Sequence, residues 1–291
     1  MGNSMNKDFL STIKEHSGEF SKSQRKIAAY ISENYDKAAY MTASKLGGIV
    51  NVSESTVVRF ANELGYEGYP EMQKAMQDFI RTKLTSFQRI EVTNKLIGDG
   101  DLLEKVLTSD IEKIKHTCEQ IDRKSFDLAI DAIVKAKRIY IIGIRSSATL
   151  AGFLDHNFKM IFDDVRLLSS TSGSEMFEQL LDIDEDDVLI AISFPRYSKR
   201  ISNAVGFAKS VGANVIALTD TVNSPIASGA DQLLLAQSDM ASFVDSLVAP
   251  LSILNAITVA VAKKKQDELT VRLQRLETIW DEYDVYDKNH G

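Results

Sequence analysis

The sequence is poor in the residues that build disulfide-stabilised or metal-stabilised folds. It contains one cysteine, Cys118, and four scattered histidines among 291 residues. A single cysteine excludes an internal disulfide framework and is typical of the reducing cytoplasm. Because no HExxH or similar box is present, we expect neither a metal site nor a cofactor.

Long hydrophobic runs are also scarce. The one long apolar stretch, Val244 to Ala262, contains Asp245, Pro250 and Asn255. A carboxylate in a membrane-spanning helix costs roughly 2.5 to 3.5 kcal/mol on insertion scales, so we predict a buried helix here. The first residues, MGNSMNKDF, lack the apolar core of a signal peptide, and Asn6 replaces the serine or threonine of a myristoylation signal. We therefore expect a cytoplasmic protein without membrane attachment.

An excess of basic charge is absent from the chain as a whole, whose formal net charge is -7. This balance argues against nucleic acid wrapping the entire protein. Residues 1–90 nevertheless carry 12 Lys or Arg against 10 Asp or Glu, whereas the remainder carries 22 against 31. Such asymmetry fits a DNA-facing module joined to an acidic body.

Two hydrophobic patterns divide the chain. Residues 23–84 follow a helical period with short polar or glycine breaks, and a polar segment, residues 85–100, follows them. From Lys137 onward, short β-branched runs alternate with segments of helical length, which is typical of a parallel sheet covered on both faces. The five runs begin at Arg138, Asp164, Asp187, Asn214 and Asp231. The sequence thus predicts an all-α domain followed by an α/β domain with a doubly wound, five-stranded parallel sheet.

The first β-run ends in a turn, IIGIRSSATLA, that leads into a helix. A dinucleotide-binding motif requires three glycines, but Arg145 and Ala148 occupy the second and third glycine positions after Gly143. A Walker sequence is also absent, so neither nucleotide-binding motif is present. Free N–H groups at the helix start, together with Ser146 and Ser147, suit an anion. Helix capping by either serine explains this stretch equally well when it is taken alone.

The third β-run ends in a similar turn, Ser193-Phe194-Pro195-Arg196-Tyr197-Ser198. Ligands of open parallel sheets bind outside the carboxyl ends of the strands, so the two turns are expected to converge on one anion. Both turns resemble the phosphosugar motifs of the sugar isomerase (SIS) domain over roughly residues 125–265. That resemblance implies effector binding by Gly143, Arg145, Ser147, Ser193 and Ser198. Ser146 and Arg196 are further candidates for effector binding, because a hydroxyl and a guanidinium both offer donors to phosphate. Pro195 and Arg196 depart from the family pattern, so ligand orientation can differ, and surface charge alone also accounts for Arg145 and Arg196.

Residues 42–60 form a pattern of helix, tight turn and helix. Asn51-Val52-Ser53 breaks the pattern, and Ser53 is suited to cap the second helix. Short polar side chains in the first turn, followed by Arg59, are what a recognition helix presents to the major groove. On periodicity alone, a helical hairpin with a solvated polar face is the simpler explanation.

The wider N-terminal sequence resembles the DNA-binding domain of RpiR-type transcriptional regulators. The similarity runs through SQRKIAAYI, the two helices and ANELGYEGYPEMQKAM. It implies DNA contacts by Lys45, Ser53, Ser55, Thr56 and Arg59, and core positions at Leu46, Val57, Phe60 and Leu64. Gly65 is expected to end the recognition helix in a left-handed turn.

These resemblances together predict a regulator of sugar metabolism, not an enzyme. The expected partners are a phosphorylated sugar, an inverted-repeat operator and a second copy of the chain. We expect a DNA-binding domain at 1–84, a linker and helix at 85–124, a SIS domain at 125–265, and a C-terminal helix and tail at 266–291. Two alternatives remain open: a sugar-phosphate isomerase with His156 or Glu175 as its base, and a scaffold that does not bind a phosphosugar. The sequence does not identify the sugar, the operator, or the sign of regulation.

Overall fold

The computed structural model describes residues 9–83, 88–90, 93, 100–169, 172–239 and 244–286. The chain divides into two compact units, Met1–Arg89 and Ile90–Gly291. The predicted domain boundary between residues 84 and 85, and most of the polar segment 85–100, lie outside the described residues. The domain limits therefore stay predictions.

The N-terminal unit is helical, and side-chain caps begin several of its helices. Its described helices are α1 (Phe9–His16), α2 (Lys22–Glu33), α3 (Tyr35–Ala38), α4 (Ala43–Val50), α5 (Glu54–Glu63) and α6 (Tyr69–Lys83). Ser21 and Gln24 form a capping box at α2, and Thr42 caps α4. The predicted core residues Leu46, Val57, Phe60 and Leu64 are all buried.

Side chains of α6 hydrogen-bond to the loop that precedes α4. The Tyr69 hydroxyl donates to the carbonyl oxygen of Met41 at 2.7 Å, and Gln73 Nε2 donates to the same oxygen at 2.8 Å. Gln77 Nε2 donates to the carbonyl of Ala39 at 2.9 Å. Burial raises the pKa of Tyr69 to about 12. These side chains satisfy loop carbonyls that no helix or sheet partner reaches.

The C-terminal unit is an α/β structure. Its described elements are α7 (Leu102–Gln120), α8 (Arg123–Lys135), β1 (Ile139–Gly143), α9 (Ser146–Lys159), β2 (Val165–Leu168), α10 (Gly173–Gln179), β3 (Val188–Ile192), α11 (Lys199–Ser210), β4 (Asn214–Thr219), a 3-10 turn (Ala227–Gly229), β5 (Gln232–Leu235), α12 (Val248–Lys264) and α13 (Gln266–Glu282). The five strands lie where the β-branched runs predicted them.

The sheet is parallel, with strand order β2-β1-β3-β4-β5. Helices cover both faces, and alternate residues of each strand enter one of two cores. Ile139 and Ile141 of β1 pack with α9 and α12, whereas Tyr140 and Ile142 pack on the other side with α10 and α11. The predicted doubly wound α/β fold is confirmed. Full burial of β1 and β3 explains why these segments are apolar throughout instead of alternating with polar residues.

A buried ion pair fastens the amino ends of β1 and β3. Arg138 Nε donates to Asp187 Oδ1 at 2.9 Å, and its Nη2 lies 2.6 Å from Asp184 Oδ2. The Asp187 side chain is fully buried. The hydrogen bond to Asp187 raises the pKa of Arg138, and removal of either side chain would leave the other buried without its partner.

The apolar stretch 244–262 forms much of α12, and six of its residues are buried against the sheet core: Ala249, Pro250, Ile253, Leu254, Ile257 and Val261. The following helix, α13, has no buried residue. Arg272 of α13 donates to the carbonyl oxygen of Lys159 at 3.0 Å. Among the helices in the described residues, none combines the length and the apolar character needed to cross a membrane.

Candidate functional site

The order of the strands locates a crevice at the carboxyl ends of β1 and β3. The chain leaves β1 for β2 on one side and then returns to β3 on the other, so the topological switch point lies between β1 and β3. Gly143 pairs in register with Ile192 at this edge. Ligands of doubly wound sheets bind at such a point. The two predicted turns begin directly after these two residues.

The β1 turn is tight because β1 and the first turn of α9 nearly touch. A Cβ atom on Gly143 would lie 2.2 Å from the carbonyl oxygen of Ser147 and 3.0 Å from the Cβ of Ala151. Only glycine fits without displacing the helix. The missing side chain thereby brings the start of α9 close to the strand end.

Two buried serines stand at this edge, one on each turn. Ser147 is 3% exposed and Ser193 is 2% exposed. Within the described part of the chain, neither hydroxyl makes a hydrogen bond to another protein group. Hydroxyl groups that lack a protein partner hydrogen-bond to water or to a ligand instead. A ligand that accepts hydrogen bonds would supply that partner.

The starts of α9 and α11 form a positive edge. Neither helix has an acidic residue in its first turn, and Lys199 and Arg200 open α11. Cations at a helix N-terminus are repelled by the positive end of the helix dipole, and an anion bound there is attracted by both. Arg145 occupies the N-cap of α9 and offers no side-chain acceptor to its free N–H groups. The edge is therefore built to receive negative charge.

Two arginines adopt left-handed backbone conformations in these turns. Arg145 has φ 62° and ψ -124°, and Arg196 has φ 66°. Such values suit glycine, and a side chain held there costs roughly 1 to 3 kcal/mol. Both side chains are exposed. The sequence identified both positions, but not their backbone conformation.

The remaining effector candidates fall into two groups. Ser146 is exposed in the first turn of α9, whereas Ser198 is half-buried and caps α11, accepting from the backbone N–H of Arg200 at 3.3 Å. The hydroxyl of Ser198 thus stabilises the start of α11 as its N-cap. The structure brings the two turns to one edge, with Ser147 and Ser193 at the buried level and Ser146 and the arginines at the surface.

Tyr197 and Asp220 hold the second turn in place, and this contact was not predicted from the sequence. The Tyr197 hydroxyl donates to Asp220 Oδ1 at 2.8 Å, and Thr219 Oγ1 donates to the same oxygen at 3.3 Å. Asp220 follows β4, so this contact joins the β3 turn to the neighbouring strand end. The available signal was the polar pair Thr219-Asp220 at the end of an apolar run.

The two candidate bases for an isomerase occupy different places. His156 is exposed on α9, ten residues after Ser146 and hence roughly 15 Å along the helix from the carboxyl edge. Glu175 is exposed in the first turn of α10. Among the described residues, no group of three or more His, Cys, Asp or Glu side chains is placed to hold a metal ion.

The N-terminal unit contains a helix-turn-helix. Helix α4 ends at Asn51 in the left-handed conformation, with φ 53°, and α5 begins after Ser53. A Cβ atom on Gly47 would lie 2.8 Å from the carbonyl oxygen of Val52, so this glycine allows the turn to close onto α4. Gly65, with φ 89°, follows the end of α5, as predicted.

The second helix presents a polar surface. Ser53 accepts from the backbone N–H of Thr56 at 3.3 Å, and its hydroxyl lies 2.9 Å from that of Ser55. Arg59 Nε donates to the carbonyl of Ser55 at 3.3 Å. Lys45, Ser53, Ser55 and Arg59 are exposed, and Thr56 is half-buried. The five residues predicted to contact DNA lie on α4, at the N-cap of α5 and within α5, and Ser53 also serves as the cap.

Comparisons with known proteins match each unit separately. Residues 7–83 match the helix-turn-helix domain of the rpiR family, and residues 132–260 match the SIS domain. An uncharacterized HTH-type transcriptional regulator of Caldanaerobacter subterraneus is 25% identical over 274 residues, covering 92% of this chain and 95% of the relative. The regulator HexR of Pseudomonas aeruginosa is 22% identical over 276 residues, covering 93% and 94%.

Solved structures agree on the fold. The sugar isomerase domain of an RpiR transcription factor from Sphaerobacter thermophilus has a TM-score of 0.59 and 25% identity, covering 62% of this chain and 99% of that one. The Vibrio vulnificus NanR protein complexed with ManNAc-6P also has a TM-score of 0.59, with 22% identity and coverage of 94% and 98%.

A helix-turn-helix unit followed by a SIS-type parallel sheet defines a transcriptional regulator of two-domain architecture. The order of the domains and the match to relatives over nearly the whole chain narrow the class further. The two domains of the chain are those of RpiR-type transcriptional regulators: a helix-turn-helix domain of the rpiR family followed by a SIS domain.

Proposed function

We propose that this regulator binds its operator in response to a phosphorylated sugar held at the carboxyl ends of β1 and β3. The phosphate accepts hydrogen bonds from Ser147 and Ser193 and from the free N–H groups that open α9. The regulator is a sensor and not an enzyme. Phosphorylated-sugar binding by NanR, which shares this fold, supports the choice of ligand class.

One observation carries the proposal: two serines at the switch point, whose residues are 3% and 2% exposed, keep their hydroxyl groups free of hydrogen bonds to other described protein groups. A phosphate has three strong acceptor oxygens and a charge that the positive helix ends favour. A scaffold that used the sheet only to assemble would gain nothing from placing two hydroxyl groups without protein partners at this edge.

The decisive experiment follows operator binding by fluorescence anisotropy during titration with each member of a phosphorylated-sugar panel. Ser147→Ala removes a donor to a charged group, which costs roughly 1.5 to 3 kcal/mol of ligand binding. We expect the effector midpoint to rise about tenfold to a hundredfold, at 1.4 kcal/mol per decade, while effector-free operator affinity is unchanged.

Ser210→Ala is the matched control, because Ser210 ends α11 at the opposite end of that helix. Its midpoint should equal that of the wild type. A normal midpoint in Ser147→Ala would exclude this hydroxyl from the site. Indifference of the wild type to every phosphosugar, in this assay and in thermal unfolding, would favour the scaffold alternative.

We further propose that α5 reads the operator, with Arg59 as its long donor. Arg59→Ala should weaken specific binding by roughly 1 to 3 kcal/mol if the guanidinium contacts a base, and folding should be intact because the side chain is exposed. Equal losses on operator and random duplexes would indicate a phosphate contact instead. Unchanged binding to both would contradict the assignment of α5.

The operator is proposed to be an inverted repeat bound by a homodimer or a larger symmetric assembly. One recognition helix covers few base pairs, and a two-fold dimer presents two such helices to half-sites separated by one helical turn or a multiple. Light scattering and half-site binding test this proposal. A monomer that binds one half-site as tightly as the full site would overturn it.

A further inference from the structure

We infer that the effector is a phosphorylated sugar acid, and that Arg145 recognises its carboxylate. The inference rests on the sugar-phosphate site proposed above and names the ligand class of that site. It goes beyond phosphate recognition, because it concerns the end of the ligand remote from the phosphate.

The buried level of the site already provides for a phosphate with neutral donors. Ser147 and Ser193 are almost fully buried, and the first N–H groups of α9 receive no side-chain cap. Hydroxyl and backbone N–H groups at a helix start are sufficient for phosphate binding in many folds. Arginine is therefore not required at that depth.

Arg145 lies at a different level. Its side chain is exposed, while Ser147, two residues later, is buried. A ligand with its phosphate against the buried serines extends its other end toward the surface, where Arg145 is. Among the described residues, the Arg145 guanidinium makes neither a hydrogen bond nor an ion pair with another protein group. Its donors are thus available to a ligand.

The backbone at Arg145 is the kind that glycine adopts without strain. With φ 62° and ψ -124°, this position corresponds to the first central residue of a type II′ turn, where glycine is the usual residue. Arginine keeps the same turn geometry at a conformational cost. The SIS motif that the turn resembles has glycine here. A guanidinium placed on this turn therefore has a use that the turn itself does not explain.

A second arginine repeats the arrangement on the neighbouring strand end. Arg196 has φ 66°, is exposed, and replaces the glycine of the second motif. A guanidinium presents paired N–H groups that match the two oxygens of a carboxylate. A neutral sugar hydroxyl offers no such match. We assign the direct contact to Arg145 and a supporting positive field to Arg196.

The test uses ligand pairs that differ at one end. Isothermal titration calorimetry compares 6-phosphogluconate with glucose 6-phosphate, and 4-phosphoerythronate with erythrose 4-phosphate, on the full-length wild type. We expect the acid of at least one pair to bind about tenfold or more tightly than its aldehyde partner, in line with a charge-assisted bidentate contact. Inorganic phosphate serves as the probe of the phosphate subsite.

Arg145→Gly is the informative variant, because glycine accepts the same backbone conformation and the turn should be retained. We expect the acid preference to fall to near unity, while the loss of one nearby positive charge weakens aldehyde and inorganic phosphate binding by a similar and smaller factor. Arg145→Lys keeps the charge without the paired donors and should lose most of the preference. Arg275→Ala, an exposed arginine on α13, is the control and should behave as the wild type.

The outcomes separate this inference from the proposed function. Equal binding of acid and aldehyde in both pairs, or a preference that survives in Arg145→Gly, would overturn the carboxylate assignment and leave the phosphosugar site standing. Absence of binding by all four sugars and by inorganic phosphate would overturn both.

Discussion

At the scale of single residues, the carboxyl end of β1 depends on how much space each position leaves. A side chain on Gly143 would collide with the backbone of Ser147, whereas Arg145 occupies a position that is open but conformationally costly. The first constraint is steric and the second is torsional. We therefore expect substitution of Gly143 to change stability and substitution of Arg145 to change ligand choice.

We expect Gly143→Ala to destabilise the C-terminal unit by about 1 to 3 kcal/mol, the range of overpacked core substitutions. Because the added methyl group displaces Ser147, phosphosugar binding should weaken as well. Urea unfolding at equilibrium measures the first effect, and calorimetry measures the second.

Gly206→Ala provides the control for this substitution. Gly206 lies inside α11, and a Cβ atom there meets nothing within 4 Å. Alanine should stabilise the helix by up to about 1 kcal/mol without affecting ligand binding. Destabilisation by Gly206→Ala of the same size as by Gly143→Ala would show that the close contact is not the cause.

At the scale of elements, the sequence predicted each strand and the start of α5, because hydrophobic period and capping residues are local signals. Ser53 caps α5 as its position indicated, and Asp122 caps α8. The sequence also located both turns of the site. It did not predict the contacts of Arg138 with Asp187 or of Tyr197 with Asp220, since these join residues 49 and 23 positions apart. Periodicity contains no information about which distant polar groups meet.

The anchoring of α6 gives the helical unit a measurable response to alkali. The pKa of Tyr69 is about 12 in the folded protein and 10.0 when unperturbed. Between these values, the unfolded state loses the proton first, so the free energy of unfolding falls as pH rises from about 10 to 12. Below pH 10, the stabilisation from the neutral phenol is fully present.

Tyr69→Phe removes this titration together with the hydrogen bond to Met41. The variant should be less stable by about 1 kcal/mol near neutral pH, and the difference should shrink or reverse toward pH 12. Thermal unfolding across this pH range compares the two proteins, and ultraviolet difference titration of tyrosinate measures the pKa itself. A difference in stability that is independent of pH would contradict the assignment.

At the scale of the whole molecule, α7 offers a surface for assembly. Leu103, Leu107, Ile111 and Ile114 form an exposed apolar row on this helix, the α7 stripe. Beside it, α7 and α12 enclose a groove of about 470 Å³ whose lining includes Ala256, Val259 and Cys118. A ridge next to a groove on one surface is self-complementary under two-fold symmetry. We expect the homodimer to form here.

The double variant Leu107→Glu with Ile111→Glu should be monomeric, because it places four carboxylates in the shared interface of a dimer. Light scattering should give half the wild-type mass, and the inverted-repeat operator should be bound more weakly. Leu181→Glu is the control, since Leu181 is 76% exposed and lies outside the α7 stripe. A folded double variant that retains the wild-type mass would locate the dimer interface elsewhere.

The path of the chain from β1 through β2 to β3 also determines the order in which the two candidate sites are synthesised. Helix α5 is complete at Glu63, and the helical unit consists of the first 89 residues. Ser193 emerges 130 residues after Glu63, since β2 and α10 must be made before β3. At about 5 to 20 residues per second, translation separates the two events by roughly 6 to 26 seconds. Each nascent chain therefore possesses α5, the helix proposed to read DNA, well before the turn that carries Ser193 exists.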